Sequence, residues 1–152
     1  LGAATSRRPG SSADGAAAVS EWMKSAGALD SSTRIVNGSG LIDANRISAA
    51  SLVAAQIAAS KEPKTGSAFV DQLAVGGVDG TLRNRFRSKS LRRKLRGKTG
   101  TLARARSLSG VMHGDDGRPR LAFALIINGI GTKADEQRRR IDRVVEKAAA
   151  ER

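Results

Sequence analysis

The 152-residue sequence has no cysteine, one histidine and only 3% aromatic residues. Without cysteine there are no disulfides and no thiolate metal ligands, a composition that fits an exported protein. His113, as the one histidine, excludes a multi-histidine metal centre and weakens any histidine-based triad. No cofactor is expected. The scarcity of aromatics leaves few stacking platforms for single-stranded nucleic acid. No apolar run approaches the length of a bilayer span, so no membrane crossing is expected. Leu1 is not Met, and no signal-type segment follows it, so the expectation is a processed or truncated chain.

What the sequence does carry is positive charge. It has 27 Lys and Arg against 14 Asp and Glu, a formal net charge of +13. Such a balance favours polyanions at low salt through counterion release. The cations fall in short scattered runs, Arg83 to Arg87, Lys89 to Lys98 and Arg138 to Arg140, which read mainly as solvated faces. A wall polymer carrying carboxylates is as good a partner for them as nucleic acid.

The length implies one domain with room for a core. Residues 1–12 read as a loop. Ser11, Ser12 and Asp14 are possible caps of a helix carrying Ala18, Val19, Trp22, Met23 and Ala26, with Trp22 as core anchor and Gly27 as its close. Thr33 to Val36 predicts a short strand, followed by the glycine-bounded turn Asn37 to Leu41. Ser48 predicts the cap of a second helix with Leu52, Val53, Gln56 and Ile57 along one side, stopped by Pro63. Phe69, Val70 and Leu73 suggest a short third helix, and Thr81 to Phe86 one or two helical turns. The period then changes. Leu95 to Leu102, Ala105 to His113 and Arg120 to Asn128 read as strands, the last two joined by the hairpin signal Gly114-Asp115-Asp116-Gly117. Leu121 to Ile127 is so continuously apolar that it predicts a strand covered on both faces. A final helix shows the stripe Ile141, Val144, Val145 and Ala148. Helices, an antiparallel meander and a terminal helix define an α+β layout.

Gly97-Lys98-Thr99-Gly100-Thr101 is the motif with chemical content. A phosphate-binding loop would need glycine at position 92, which is arginine, and a helix after the lysine. Lys-Thr-Gly on a strand has another meaning, as a signature element of penicillin-binding proteins and serine β-lactamases. Lysine supplies a fixed positive charge, threonine a short hydroxyl donor, and glycine the backbone room that a Cβ would take away.

The flanking segments sharpen this reading. They are Asn37-Gly38-Ser39-Gly40-Leu41, Asn45-Arg46-Ile47-Ser48, Gly77-Val78-Asp79-Gly80-Thr81-Leu82 with Arg85-Phe86, Lys98 to Leu102, Leu108-Ser109-Gly110 and Asn128-Gly129. In this order the chain resembles the class C low-molecular-mass penicillin-binding proteins, D-alanyl-D-alanine carboxypeptidase/endopeptidases, over nearly all its length. The resemblance implies the C-terminal segment of a transpeptidase-like domain, with an antiparallel sheet flanked by helices. It implies an exported parent, periplasmic or extracellular, that acts on peptidoglycan stem peptides and reacts with β-lactams. It further implies that Lys98 and Thr99 bind a terminal carboxylate, that Lys98 supports proton transfer, and that Gly100 keeps the strand open to substrate. Thr101 would give its backbone N–H to the oxyanion hole, with its hydroxyl also within reach of the carboxylate. The sequence contains no Ser-x-x-Lys and no Ser-x-Asn, so the chain alone is expected to be inactive. Asn37 stands where the family usually has aspartate, and Ile42-Asp43 where it usually has Ser-Arg.

Several residues have plainer readings. Ser39 is a structural turn residue, His113 an exposed strand end, and Asp79 a turn or capping carboxylate. Arg83, Arg85 and Arg87 read as a solvated face before a substrate groove. The alternative to the enzyme reading is a small basic nucleic-acid-binding protein in which Lys-Thr-Gly is accidental.

Overall fold

The computed structural model describes residues 10–41, 43–129 and 134–151, and the chain forms two compact units, Leu1–Ala58 and Ala59–Arg152. The readings placed on residues 1–9 and on Ile42 lie outside the described residues.

In the first unit, helix α1 spans Ser12–Ser25, so the expected loop ends earlier than residue 12. Its start is a reciprocal capping box: Asp14 N–H donates to Ser11 Oγ at 3.1 Å, and Ser11 N–H donates back to Asp14 Oδ2 at 3.1 Å. Its end is set by Gly27, whose φ of +65° lets Gly27 N–H reach Lys24 O and Ala28 N–H reach Met23 O. The buried stripe is Ala16 and Met23, and Trp22 is only half-buried. Trp22 is therefore not the core anchor, because it sits one position off the stripe that Ala16 and Met23 define seven residues apart.

Helix α2 spans Ala49–Lys61, and Ser48 Oγ accepts from Ser51 N–H at 2.9 Å as its cap. Its buried residues are Ser51 and Gln56, whereas Ile57 is exposed, contrary to the apolar side expected there. The cause is polar. Ser51 faces Asp30, whose carboxylate also collects Ser32, Thr33 and Ser48 hydroxyls. The expected strand at Thr33 to Val36 is reduced to one bridge between Arg34 and Arg46. Asn45 explains this, because its Oδ1 accepts from the N–H groups of Val36 (2.8 Å) and Asn37 (3.2 Å) that a ladder would otherwise use. Ser39 is a turn residue, with its hydroxyl donating to Asn37 Oδ1 at 2.9 Å.

The second unit contains α3 (Gly66–Asp71), β1 (Ala74–Val75), a 3-10 turn (Gly80–Leu82), β2 (Leu95–Leu102), β3 (Ala105–His113), β4 (Pro119–Asn128) and α4 (Ala134–Ala150). The helical turns expected over Thr81 to Phe86 contract to that 3-10 turn. The sheet is antiparallel in the order β1-β2-β3-β4. On its core face Leu95, Leu108, Met112 and Phe123 pack with Leu82, Phe86 and Leu91 and with Ile141 and Val145 of α4. Within β4 only Phe123 is buried, so Leu121 to Ile127 is not covered on both faces; among the described strands β4 lies at the sheet edge. On α4, Val144 is 54% exposed and leaves the apolar stripe.

Arg85 and His113 also depart from expectation. Arg85 is no solvated cation: its guanidinium forks onto Asp142 with Nε 3.1 Å from Oδ1, its side chain is 9% exposed, and it lies 5.2 Å over the Phe86 ring. His113 is half-buried because its ring and its N–H both turn to Lys94 O, at 3.0 and 2.9 Å. Asp79 is a turn carboxylate, accepting from Val75 N–H at 2.7 Å. No helix among the described residues is long and apolar enough to cross a membrane.

Candidate active site

Lys98, Thr99, Gly100 and Thr101 all lie on β2, as read from the sequence. The local geometry follows from how little of β2 its neighbour β1 covers. The pairing consists of Ala74 with Gly97 and Val75 with Arg96, and no strand among the described residues lies beside Lys98 to Leu102 on that edge. Gly76 N–H donates to Leu95 O at 2.8 Å, while His113 N–H donates to Lys94 O at 2.9 Å. Odd-numbered residues of β2 thus turn their main-chain groups to the β1 edge and even-numbered ones to β3. Carried along the strand, this alternation turns the N–H and C=O of Thr99 and Thr101 to the open edge.

The side chains complete the arrangement. Lys98 is exposed, and its Nζ donates to Thr99 O at 2.8 Å, so the ammonium reaches the same edge. None of the ion pairs among the described residues involves Lys98. Thr99 Oγ1 lies 3.0 Å from Thr81 Oγ1. Thr81 thus lies beside the Lys-Thr-Gly strand, a neighbour to which the sequence assigns no role. Leu82, 0% exposed, anchors the 3-10 turn that carries it, and Gly77 N–H closes on Leu82 O at 3.0 Å. A Cβ on Gly100 would stand 2.2 Å from Ser107 Oγ across the ladder. A cavity of about 400 Å³ adjoins the strand, lined by Thr81, Thr99, Gly100, Thr101, Arg106 and Ser107 among others. Lys98 is not among its lining residues. Chemically, a strand edge with two outward peptide units can pair with an extended chain through main-chain hydrogen bonds. Among the described residues no cluster of three metal-ligating side chains occurs.

This sheet, its covering helix and the lysine-bearing strand define an α+β penicillin-binding fold. The chain superimposes on penicillin binding protein 4 (dacB) from Haemophilus influenzae, solved with a bound β-lactam, with a TM-score of 0.80 at 25% identity over 98% of this chain and 36% of that one. It shares the fold of Bd3459, a predatory peptidoglycan endopeptidase from Bdellovibrio bacteriovorus, with a TM-score of 0.65 at 18% identity over 89% of this chain and 36% of that one. The chain belongs to the D-Ala-D-Ala carboxypeptidase 3 (S13) family, whose sequence profile matches residues 1–151. It is 35% identical over 129 residues to Carboxypeptidase DacB of Mycolicibacterium smegmatis, covering 82% of this chain and 28% of that protein. The chain therefore spans about a third of the length of these relatives.

Proposed function

We propose that these residues form the C-terminal, Lys-Thr-Gly-bearing segment of the peptidase domain of a serine-type D-Ala-D-Ala carboxypeptidase/endopeptidase that hydrolyses peptidoglycan stem peptides. In this reaction a serine Oγ adds to the carbonyl of the scissile peptide, the C–N bond breaks, and the departing D-alanine takes a proton. Water then hydrolyses the ester and returns the serine hydroxyl. The serine and its base lysine come from sequence outside these 152 residues, since no Ser-x-x-Lys occurs here. Lys98 and Thr99 hold the terminal carboxylate, and Lys98 supports proton movement beside the nucleophile. Gly100 leaves backbone room at the strand, and the Thr101 N–H donates to the oxyanion. The whole protein acts outside the cytoplasmic membrane, where its polymer substrate lies, and is acylated by β-lactams.

The observation that carries this reading is the edge of β2 beside which no strand among the described residues lies at Lys98 to Leu102, where Thr99 and Thr101 direct their peptide groups outward next to the Lys98 ammonium. A charge-assisted hydrogen bond of the Lys98 kind contributes about 1.5–3 kcal/mol, so Lys98→Ala in the full-length protein should slow acylation by fluorescent penicillin about 10- to 100-fold. An unchanged acylation rate would remove the assigned role. The isolated 152-residue chain should show no covalent label, and labelling of it would place a nucleophile inside these residues.

A further inference from the structure

Asp30 shows how this chain holds a carboxylate with hydroxyls. Among its donors, Thr33 Oγ1 donates to Oδ1 and Ser51 Oγ to Oδ2, each at 2.9 Å, and the two hydroxyl oxygens lie 3.1 Å from each other. A carboxylate has two acceptor oxygens, so a pair of hydroxyls at that spacing can serve one each. Nearly the same spacing recurs in the sheet unit, where Thr99 Oγ1 lies 3.0 Å from Thr81 Oγ1. Among the described residues neither of these hydroxyls reaches a carboxylate. Ser88 and Ser90 also approach to 3.1 Å, but they are two residues apart in an exposed turn, and neither lines the cavity beside β2. Thr81 and Thr99 come together from eighteen residues apart, and both line it.

Thr81 is held in place by contacts other than its bond to Thr99. The 3-10 turn that carries it follows Asp79, whose Oδ1 accepts from Val75 N–H at 2.7 Å while Asp79 N–H donates to Val75 O at 3.2 Å. Both bonds tie the turn to β1, and β1 pairs with β2 at Arg96 and Gly97, immediately before Lys98. Leu82, the next residue, is buried against the same strand, so that a Cβ on Gly97 would come 3.5 Å from Leu82 Cδ1. A hydroxyl positioned before any ligand arrives loses little freedom on binding. The charge of the cavity also favours an anion. Of its arginines, Arg85 and Arg138 pair with Asp142 and Asp135. Arg106 donates to the carbonyls of Leu102 and Ala105 and enters none of the ion pairs among the described residues, which makes the described lining net positive.

We infer that Thr81 is a substrate-binding residue: its hydroxyl and that of Thr99 each donate to one oxygen of the substrate's terminal carboxylate. On binding, the pair exchanges its mutual hydrogen bond for two charge-assisted ones, which are stronger than the neutral bond given up. The arrangement reached is the one that Thr33 and Ser51 already make around Asp30. The assignment rests on the function proposed above, in which Thr99 meets that carboxylate, and adds the second donor.

The test compares acylation of the full-length protein by a fluorescent penicillin and by the methyl ester of its carboxylate. In Thr81→Val, which keeps the side-chain shape and removes the hydroxyl, the ratio of the acid rate to the ester rate should fall about tenfold or more, the usual scale for one hydrogen bond to a charged group. Thr81→Ser, which keeps the hydroxyl, should bring the ratio back to within about threefold of the parent value. Both rates are read on the same variant, so a loss of folded protein affects them alike and leaves the ratio unmoved. An unchanged ratio in Thr81→Val, with Lys98→Ala still slow, would reduce the Thr81–Thr99 bond to a structural tie and overturn the second donor alone. A ratio that Thr81→Ser fails to restore would show that the hydroxyl is not what matters and would overturn it as well. A full-length protein that takes no label, or in which Lys98→Ala is acylated at the parental rate, would remove the enzyme reading and this assignment with it.

Discussion

The two units are held together by different means. In the sheet unit, Leu82, Leu91, Leu95, Leu108 and Val145 are each no more than 1% exposed and belong to one apolar cluster. The helical unit buries fewer and smaller apolar side chains, notably Ala16, Met23 and Ala28. Its hydrogen-bond hub is a carboxylate. Asp30 accepts from Ser32 N–H and from the hydroxyls of Ser32, Thr33, Ser48 and Ser51, tying the loop after α1 to the start of α2. Apolar packing is non-directional and tolerates repacking, whereas a hydrogen-bonded hub depends on one acceptor and fails with it. The two regions should therefore respond to different insults.

The largest effect is expected in the sheet. A Cβ on Gly110 would stand 2.1 Å from Arg96 O and 2.8 Å from Gly97 Cα, both main-chain atoms of the neighbouring strand. Neither can move without breaking the ladder that carries Lys98 two residues on. Gly110→Ala should cost about 3 kcal/mol, the upper end of usual overpacking penalties. Urea unfolding followed by far-ultraviolet circular dichroism measures it. Gly100→Ala meets only Ser107 Oγ, a hydroxyl that rotates away, and should cost much less. Equal losses for the two variants would mean that the backbone contact is not what restricts position 110.

Asp30 comes next, and its effect depends on pH. The hydroxyl donors, Ser48 first and then Ser32, Ser51 and Thr33, hold its carboxyl well below the usual carboxylate range. A depressed carboxylate means that the unfolded chain takes up the proton first as pH falls. The stabilisation is thus complete above about pH 4 and is lost as the solution becomes more acidic. Asp30→Asn should lower the midpoint reported by Trp22, the one tryptophan of the chain, at neutral pH, and should flatten its decline below about pH 4. Amide protection in β3 should hold. Loss of that protection in step with the Trp22 signal would collapse the distinction between the two regions.

This distinction also explains what was legible in the sequence. Period-two segments bounded by turn residues gave β2 and β3 their full extent, and Gly27 and Ser11 marked the ends of α1, because these signals are local. The location of Lys98 to Thr101 on a strand was legible for the same reason. Thr81 was not assigned, since nothing local says that a hydroxyl eighteen residues before Thr99 will meet it. The Asp30 hub and the Arg85–Asp142 fork were missed on the same ground, their partners lying up to 21 and 57 residues away in the chain. Asn45 took the hydrogen bonds of an expected strand, and a side chain that competes with a ladder leaves no periodic trace.

The smallest effect tests the apolar half of the comparison where periodicity misled. Val144 fits the helical stripe by spacing, yet it is 54% exposed, while Ile141 and Val145 on the same helix are at most 2% exposed. A helix resting on a sheet buries a stripe about two residues wide per turn, and position 144 falls on its outer shoulder. Val144→Ala removes methyl groups that water already reaches, and alanine favours helix, so stability should change by no more than about 0.5 kcal/mol. A loss several times that size in urea unfolding would mean that another surface covers Val144, and that the core of the sheet unit extends beyond the cluster centred on Leu108.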